Sequence, residues 1–346
     1  MIEYDKNFFK KRKEQNNLAK FVTRPPFPKN ALIELTNACN HACVFCKNSH
    51  QLRKPTYLSF ETYSLFIKQA VKLGLEEVGL YATGEPFMLK NIEKYILFAK
   101  KNGVKRVYCT TNGVLAEISK VKKCFNAGLD SIKFSINASN KEDYKIIHGK
   151  DDFDKVIKNL KEIYNWKKEN KLSLQILGSC VVVPSMPHTK KEHFRIFNKY
   201  FDDSMYVEST SQGGQKFDYP LPENDLKKIF TSLDEVDEKD LKPCWMVFNR
   251  YHLTAEGYLT ACCVDYNLNL VFSDINKENL IESWHNNLIK KLREKHIQKK
   301  LDNTICHSCL TNKKKPYKAI KTVVSNKFSE EKFEKIEDKL LGRFQF

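Results

Sequence analysis

The sequence predicts an α/β protein in which a partial (β/α)6 barrel precedes a smaller module built from a β-hairpin and helices. Three observations support this prediction. Between residues 31 and 210, short β-rich runs alternate with longer amphipathic stretches, which is typical of parallel strands joined by crossover helices. These runs number six, too few to close an eight-stranded barrel. Beyond residue 243, clustered cysteines and a glycine-centred hairpin replace the alternation.

The predicted strands cover residues 31–36, 77–83, 104–110, 131–137, 173–184 and 205–210. After the first strand, Phe60, Tyr63, Phe66 and their apolar neighbours recur at three- and four-residue spacing, which predicts an amphipathic helix. Ser59 is a suitable start for this helix and Gly74 a suitable end. Because right-handed crossovers make the strands parallel, we expect catalytic side chains at their carboxyl ends.

The remaining segments divide the chain further. Residues 1–30 form an N-terminal extension, 31–210 the barrel, and 211–243 a linker that contains Gly213 and Gly214. Residues 244–310 form the second module, and 311–346 form a lysine-rich tail that we expect to be helical around residues 328–341.

The charge balance is compatible with an anionic partner such as a nucleotide, a phosphorylated small molecule or a lipid headgroup, and it is also typical of an ordinary lysine-rich solvated surface. The formal net charge of +17 attracts anions, which suits a small-molecule or glycan substrate with a negative group. The lysines are scattered, with no arginine-rich run, so no dedicated nucleic-acid face is predicted. Apolar runs fall short of the ~20 residues that span a bilayer, and the N-terminus does not resemble a secretory signal. We therefore predict a cytoplasmic protein.

Eleven cysteines in a reducing compartment indicate metal binding rather than disulfides. Cys39, Cys43 and Cys46 follow the first strand as C-x3-C-x2-C. These thiolates fit a [4Fe–4S] cluster with one open iron, or a zinc site completed by His41 or His50. A second set fits zinc and a fully ligated cluster equally well by count, and consists of Cys244, Cys262, Cys306 and Cys309.

The first motif, with Phe45 before its last cysteine, resembles the radical S-adenosylmethionine (SAM) superfamily. Three further segments match at successive strand ends, namely Thr83-Gly84-Glu85-Pro86, then Asn112, then Ser135 and Asn137. The resemblance implies that the first segment binds the methionine amino group and the others contact the ribose and carboxylate. It also implies a catalytic [4Fe–4S] cluster on Cys39, Cys43 and Cys46, reduced by a flavodoxin- or ferredoxin-type donor. SAM cleavage would then give a 5′-deoxyadenosyl radical that removes a substrate hydrogen.

The spacing C-x12-G-x4-C around Gly257 resembles the start of the auxiliary-cluster domain called SPASM and of its shortened relative, twitch. Full SPASM domains carry more cysteines and a second cluster, so this chain departs from that pattern. The resemblance therefore implies one auxiliary [4Fe–4S] cluster, which suits electron transfer because every iron would be bound by protein.

The leading hypothesis is oxidation or epimerisation of a carbohydrate-type substrate, since one auxiliary cluster is implied and the segment before residue 31 is short for peptide recognition. Peptide modification, forming a thioether or carbon–carbon crosslink, is the alternative. A zinc-ribbon binding protein without radical chemistry is the alternative from another class. Cys263 is a candidate hydrogen donor, as in related epimerases, or else an alternate ligand or a packed residue. Candidates for gripping an anionic substrate are Arg250, Tyr251, His252 and Asp265.

Overall fold

The computed structural model describes residues 7–17, 19–231 and 234–323. Its strands are β1 (Asn30–Ile33), β2 (Glu77–Leu80), β3 (Arg106–Thr111), β4 (Ser131–Ser135), β5 (Gln175–Val182), β6 (Asp203–Glu208), β7 (Tyr251–Leu253), β8 (Tyr258–Thr260) and β9 (Val271–Asp274). The helices of the first half are α1 (Phe8–Asn17), α2 (Phe60–Lys72), α3 (Ile92–Lys101), α4 (Ile118–Asn126), α5 (Lys141–His148), α6 (Phe153–Glu169) and α7 (Thr189–Phe197). Those of the second half are α8 (Glu223–Ile229), α9 (Met246–Asn249), α10 (Leu280–Trp284), α11 (Asn287–Ile297) and α12 (Ile305–Thr311).

A single nine-stranded sheet runs in the order β6-β5-β4-β3-β2-β1-β7-β8-β9. Each neighbouring pair from β1 to β6 is parallel, which confirms the predicted partial barrel. The predicted helix around residues 328–341 lies outside the described residues. No helix in the described part of the chain combines the length and apolarity that crossing a bilayer requires.

The second module continues the barrel sheet. Strand β7 pairs in parallel with β1, so that Ala31 is opposite Tyr251, and β8 and β9 follow antiparallel. The predicted hairpin forms at Gly257, whose φ of +90° suits glycine. The two halves of the chain are therefore joined by backbone hydrogen bonds as well as by side chains.

Alternation along the strands separates a helix-covered outer face from an inner face. Val78 and Leu80 are fully buried in the core, as are Tyr63 and Phe66 of α2. Ser59 caps α2 by accepting a hydrogen bond from the Thr62 amide at 3.1 Å, as the sequence predicts. The inner face is left to line an internal cavity.

The N-terminal extension contributes α1, which packs at the edge of the barrel. The amide of Phe9 donates to Asp203 Oδ2 at 3.1 Å, and the Phe8 ring lies 4.4 Å from the Arg106 guanidinium. Asp203 begins β6, the outermost strand of the sheet. Helix α1 therefore covers part of the opening that an incomplete barrel leaves.

Candidate functional site

The three-cysteine loop follows β1 and is held against the end of α5. The amides of Ala42 and Val44 donate to the carbonyls of His148 and Ile147 at 3.1 and 2.9 Å, on either side of Cys43. Cys39, Cys43 and Cys46 are all half-buried. Burial, reinforced by the nearby charges of Glu85 and Cys46, raises the pKa of Cys39 to about 12. A cluster bound here would therefore displace protons from the thiols.

The Thr83-Gly84-Glu85-Pro86 turn packs directly on this loop. The Glu85 amide donates to the Ala38 carbonyl at 2.9 Å. A Cβ atom at Gly84 would lie 2.2 Å from the Thr36 carbonyl oxygen and 2.5 Å from that of Ala38, so only glycine permits the contact. The structure thus brings the second strand end against the first cysteine.

Glu85 ties the ends of the second and third strands together. Its carboxylate accepts hydrogen bonds from the Thr111 hydroxyl at 2.7 Å, the Asn112 amide at 2.8 Å and the Phe87 amide at 3.0 Å. Burial raises the pKa of Glu85 to about 6 despite these donors. The Glu85 carboxylate positions Asn112. The contact of Glu85 with the SAM amino group stays a prediction.

Asn112 lies beside Cys39, whereas Asn137 contacts His148, which in turn lies beside Cys43. The side-chain nitrogen Nδ2 of Asn112 donates to Asn40 Oδ1 at 2.8 Å and lies 3.9 Å from Cys39 Sγ. Asn137 Oδ1 accepts from the Val181 amide at 2.8 Å, and the Asn137 backbone amide donates to His148 Nε2 at 3.1 Å. The third strand end therefore reaches the loop directly and the fourth reaches it through His148, as expected for a site at the carboxyl ends of parallel strands.

The other predicted contacts have structural partners of their own. The Thr83 hydroxyl donates to the Glu34 carboxylate, and Ser135 lies 3.4 Å from Asn137 Oδ1. Phe45 and Pro86 are buried, Phe45 in the core beside the loop. That these side chains form the wall of the SAM site, and the contacts that they would make with SAM, stay predictions.

The second cysteine set converges from three segments. Cys244 precedes α9, Cys262 follows β8, and Cys306 and Cys309 lie on α12. Burial raises the pKa of Cys244 to about 11, and the charges of Cys309 and Cys263 add to the rise. Burial, followed by the charges of Cys309 and Cys244, likewise raises the pKa of Cys306. The four predicted ligands therefore lie within electrostatic reach of one another.

Cys263 lies inside this set as well. Cys262 shares a hydrogen bond with it that lowers the pKa of Cys263 and raises that of Cys262. The pKa values of Cys244 and Cys309 are also raised by the Cys263 charge. Cys263 faces a small enclosed space beside Thr83 and His252, apart from the large cavity described below. This position suits an alternate ligand at least as well as a hydrogen donor.

Two contacts at the cysteine sets come from residues that the sequence does not reveal. Tyr266, four residues after Cys262, places its hydroxyl 3.4 Å from Cys46 Sγ. Gly214, predicted to lie in a linker, packs on α12 so closely that a Cβ atom would approach the Cys309 amide to 2.7 Å. Long-range contacts of this kind carry no local sequence signal.

A buried ion network lies between the two sets. Arg53 binds Glu34 with two guanidinium nitrogens and also pairs with Glu256 of the hairpin. Although burial alone would raise it, Arg53 holds the pKa of Glu34 below its usual range. The network thereby connects β1, the end of the cysteine loop and the second module.

A cavity of about 640 Å³ occupies the inside of the barrel. Its charged lining residues are Lys10, Lys13, Lys133 and Arg250, and no carboxylate lines it among the described residues. Of the other candidates for binding an anionic substrate, Tyr251 packs on Trp284 in the core. Asp265 accepts hydrogen bonds from Thr260, Asn269 and Leu270. His252 lines the smaller space beside Cys263, so Arg250 is the one of these four candidates that lines the cavity.

The spacing of the thiols bears on the zinc alternative. Zinc–sulfur bonds of ~2.3 Å would place the ligand sulfurs about 3.8 Å apart. Across residues 7–17, 19–231 and 234–323, two groups offer three ligand atoms within 4.8 Å of one another, namely His41–Cys43–His148 and Glu238–Asp302–His307. Each contains at most one cysteine, so neither cysteine set is gathered at zinc spacing. His50, the other proposed zinc ligand, packs against Tyr219 with the ring centroids 4.8 Å apart and the planes tilted by 33°.

Cys109, Cys124 and Cys180 are buried in the packed core, and the first two lie between the sheet and its helices.

A parallel partial barrel whose first strand leads into three thiols, with polar strand ends gathered around them, defines the class of iron–sulfur enzymes that use a bound nucleotide cofactor.

Comparison with protein families agrees with this class. Residues 33–201 match the model of the radical SAM superfamily, and residues 244–310 match that of the SPASM iron–sulfur cluster-binding domain. The chain therefore belongs to the radical SAM superfamily and carries a SPASM domain. Its cofactors are SAM and iron–sulfur clusters.

Curated relatives include probable GTP 3′,8-cyclases. That of Sulfurisphaera tokodaii is 35% identical over 130 residues, which is 38% of this chain and 41% of the relative. That of Methanocaldococcus jannaschii is 24% identical over 274 residues, covering 73% of this chain and 91% of the relative. The chain thus spans about two fifths of the first of these relatives.

Solved structures share the fold at low sequence identity. BtrN in complex with AdoMet and 2-DOIA has a TM-score of 0.55 at 15% identity, covering 82% of this chain and 94% of BtrN. Streptococcus suis SuiB bound to the precursor peptide SuiA has a TM-score of 0.61 at 14% identity, covering 82% and 69%. Native anSMEcpe with bound AdoMet has a TM-score of 0.55 at 15% identity, covering 91% and 96%.

Proposed function

We propose that this radical SAM enzyme removes a hydrogen atom from a C–H bond of an anionic, carbohydrate-type small molecule, which is thereby oxidised or epimerised in the cytoplasm. The observation that carries the proposal is the cation-lined cavity inside the barrel. Thr110, which lines this cavity, is followed by Thr111, whose hydroxyl donates to Glu85, and this adjacency supports a cavity near the predicted SAM site.

The proposed ligands of the catalytic cluster are Cys39, Cys43 and Cys46, and those of the auxiliary cluster are Cys244, Cys262, Cys306 and Cys309. The proposed SAM contacts are Phe45, Thr83, Gly84, Glu85, Pro86, Asn112, Ser135 and Asn137. The bound cofactors supply the electron and the 5′-deoxyadenosyl radical, with a flavodoxin- or ferredoxin-type protein as the electron donor. The chain's residues position SAM and exclude water. Gly84 and Glu85 fix the position of the cysteine loop relative to the strand ends for that purpose.

The cavity wall supports an anionic substrate. Lys133 comes from β4, Arg250 from the start of the second module, and Lys10 and Lys13 from α1, so cations reach the cavity from separate segments. Cations on a shared wall attract a carboxylate or phosphate, and the half-buried Lys133 and Arg250 do so more strongly than the exposed Lys10 and Lys13. The hydrogen bond from Cys262 and, to a smaller extent, the charge of Arg250 lower the pKa of Cys263, which supports a cavity wall near the auxiliary set.

A purine nucleoside triphosphate is a second candidate substrate. The curated relatives named as probable GTP 3′,8-cyclases favour it, and a triphosphate would suit the same cations. Peptide modification stays a prediction, since no contact in the cavity favours it over a small molecule.

The test is anaerobic reconstitution followed by turnover with deuterated candidates, namely phosphorylated sugars, neutral sugars, GTP and peptides. Deuterium in 5′-deoxyadenosine identifies the substrate and the attacked bond. We expect transfer from an anionic sugar, and Lys133→Met should raise KM about tenfold, the loss of roughly 1.4 kcal/mol that one charged contact supplies. Lys94→Met, on the outer surface over Phe60, is the matched control. Transfer only from neutral sugars or peptides would contradict the proposal.

A further inference from the structure

The ring of His148 is held next to the middle cysteine of the loop. His148 Nδ1 lies 3.5 Å from Cys43 Sγ, and the ring stacks on Tyr144 with centroids 4.0 Å apart and planes 15° apart. His148 is 1% exposed, and its carbonyl accepts the Ala42 amide. Packing and backbone contacts therefore fix both the position and the orientation of this imidazole.

The hydrogen-bond partners of His148 determine which ring nitrogen carries the proton. The Asn137 backbone amide can only donate, and it points at Nε2 from 3.1 Å. Nε2 is therefore the acceptor, and the proton of the neutral ring lies on Nδ1. The Nδ1–H group faces Cys43 Sγ and His41 Nδ1, which lies 3.3 Å away.

His41 extends the chain of contacts toward the surface. Its Nε2 lies 3.3 Å from Asp152 Oδ2, and a carboxylate accepts, so the His41 proton lies on Nε2. His41 therefore presents an acceptor to His148. The Nδ1–H of His148 is shared between a nitrogen lone pair and the Cys43 sulfur, and it favours the sulfur when that atom is a thiolate, because hydrogen bonds to charged acceptors are stronger.

We propose that His148 is a positioning residue that donates its Nδ1–H to the Cys43 thiolate and thereby raises the reduction potential of the cluster on Cys39, Cys43 and Cys46. A donor to a ligand sulfur stabilises the more negative, reduced state. The inference rests on the proposed function in one respect, namely that Cys43 is a cluster ligand.

The test compares two amides of different length with the wild-type chain. The amide of His148→Gln reaches the position of Nε2, where its oxygen still accepts the Asn137 amide, but it places no donor near Cys43. The shorter His148→Asn places an amide N–H at the position of Nδ1. His193→Gln is the control, since His193 is equally buried but its ring contacts Tyr206 and not a cysteine of the loop.

The readout is a redox titration followed by electron paramagnetic resonance, with iron and sulfide content measured on the same samples. The auxiliary signal, assigned with the triple Cys39→Ala/Cys43→Ala/Cys46→Ala variant, is the internal reference. We expect a more negative midpoint potential for the catalytic signal in His148→Gln, and wild-type values in His148→Asn and His193→Gln. An unshifted His148→Gln, or equal shifts in both His148 variants, would overturn the inference. A wild-type chain without the catalytic signal would instead refute the ligand assignment.

Discussion

The hydroxyl of Tyr266 lies 3.4 Å from Cys46 Sγ and donates to Gln212 Oε1 at 2.9 Å. Tyr266 belongs to the SPASM domain and Cys46 to the loop of the radical SAM domain, so a SPASM side chain touches the first cysteine set. Substitutions in one domain therefore need to be examined for their effect on the cysteines of the other.

Replacing any cysteine of the first set should remove one cluster. We expect Cys39→Ala, Cys43→Ala and Cys46→Ala each to lose about half of roughly eight irons per chain, since two thiolates hold a cluster poorly. Reductive formation of 5′-deoxyadenosine should cease as well. Iron and sulfide analysis after anaerobic purification measures the loss. Cys180→Ala, a buried core cysteine, is the matched control, and full iron in the three loop variants would refute the assignment.

The adjacent cysteines of the second set can be distinguished in the same way. Cys262→Ala should lose the auxiliary iron, whereas Cys263→Ala should retain it. If Cys263 donates hydrogen, Cys263→Ala stops epimerisation while SAM cleavage continues. Turnover that survives Cys263→Ala would eliminate the donor role, and iron lost from Cys263→Ala alone would move the ligand assignment to that residue.

Gly84→Ala should impair cluster loading and SAM binding. The new Cβ would lie 2.2 Å from the Thr36 carbonyl oxygen, so the backbone of the loop must shift. Iron content and SAM affinity are the measurements. Gly74→Ala is the control, because nothing lies within 4 Å of its Cβ and its φ of +91° causes only local strain. Equal loading in both variants would argue against the tight contact.

Arg53→Met should destabilise the fold by about 3–5 kcal/mol, because it leaves Glu34 and Glu256 without their buried cation. Lys29→Met removes an exposed pair with Glu76 and should cost less than about 1 kcal/mol. Denaturant unfolding at equal cluster content measures both values. Similar costs would show that the buried network contributes little.

Glu85 should make stability depend on pH. Its folded pKa of about 6 lies above the unfolded value of about 4.3, so protonation favours folding. The contribution is fully present below about pH 4.3 and is lost as the pH rises through about 6, a difference of about 2 kcal/mol. Glu85→Gln cannot titrate. Between pH 4 and 7 the wild type should therefore lose roughly this amount relative to the variant, as measured by unfolding, and a gap independent of pH would contradict the assignment.

Features with a local signal could be predicted from the sequence. Strand runs, the Ser59 cap, the Gly257 turn and the two cysteine motifs depend on residues close together in the chain, and the structure confirms the six parallel strands and the hairpin. The pairing of β1 with β7, the contact of His148 with Cys43, and the lysines of α1 in the cavity depend on residues far apart in sequence. Such contacts are set by packing, which a single sequence does not encode in any readable spacing.

Because β7 pairs with β1, each half of this enzyme on its own would have an additional unpaired edge strand. All four residues of β1 are buried, and a chain cut near residue 243 would lay bare their peptide groups as a template for aggregation. The second module therefore covers the edge of the catalytic half of the sheet. Recombination that exchanges this extension between enzymes must carry a compatible strand along with the new cysteines.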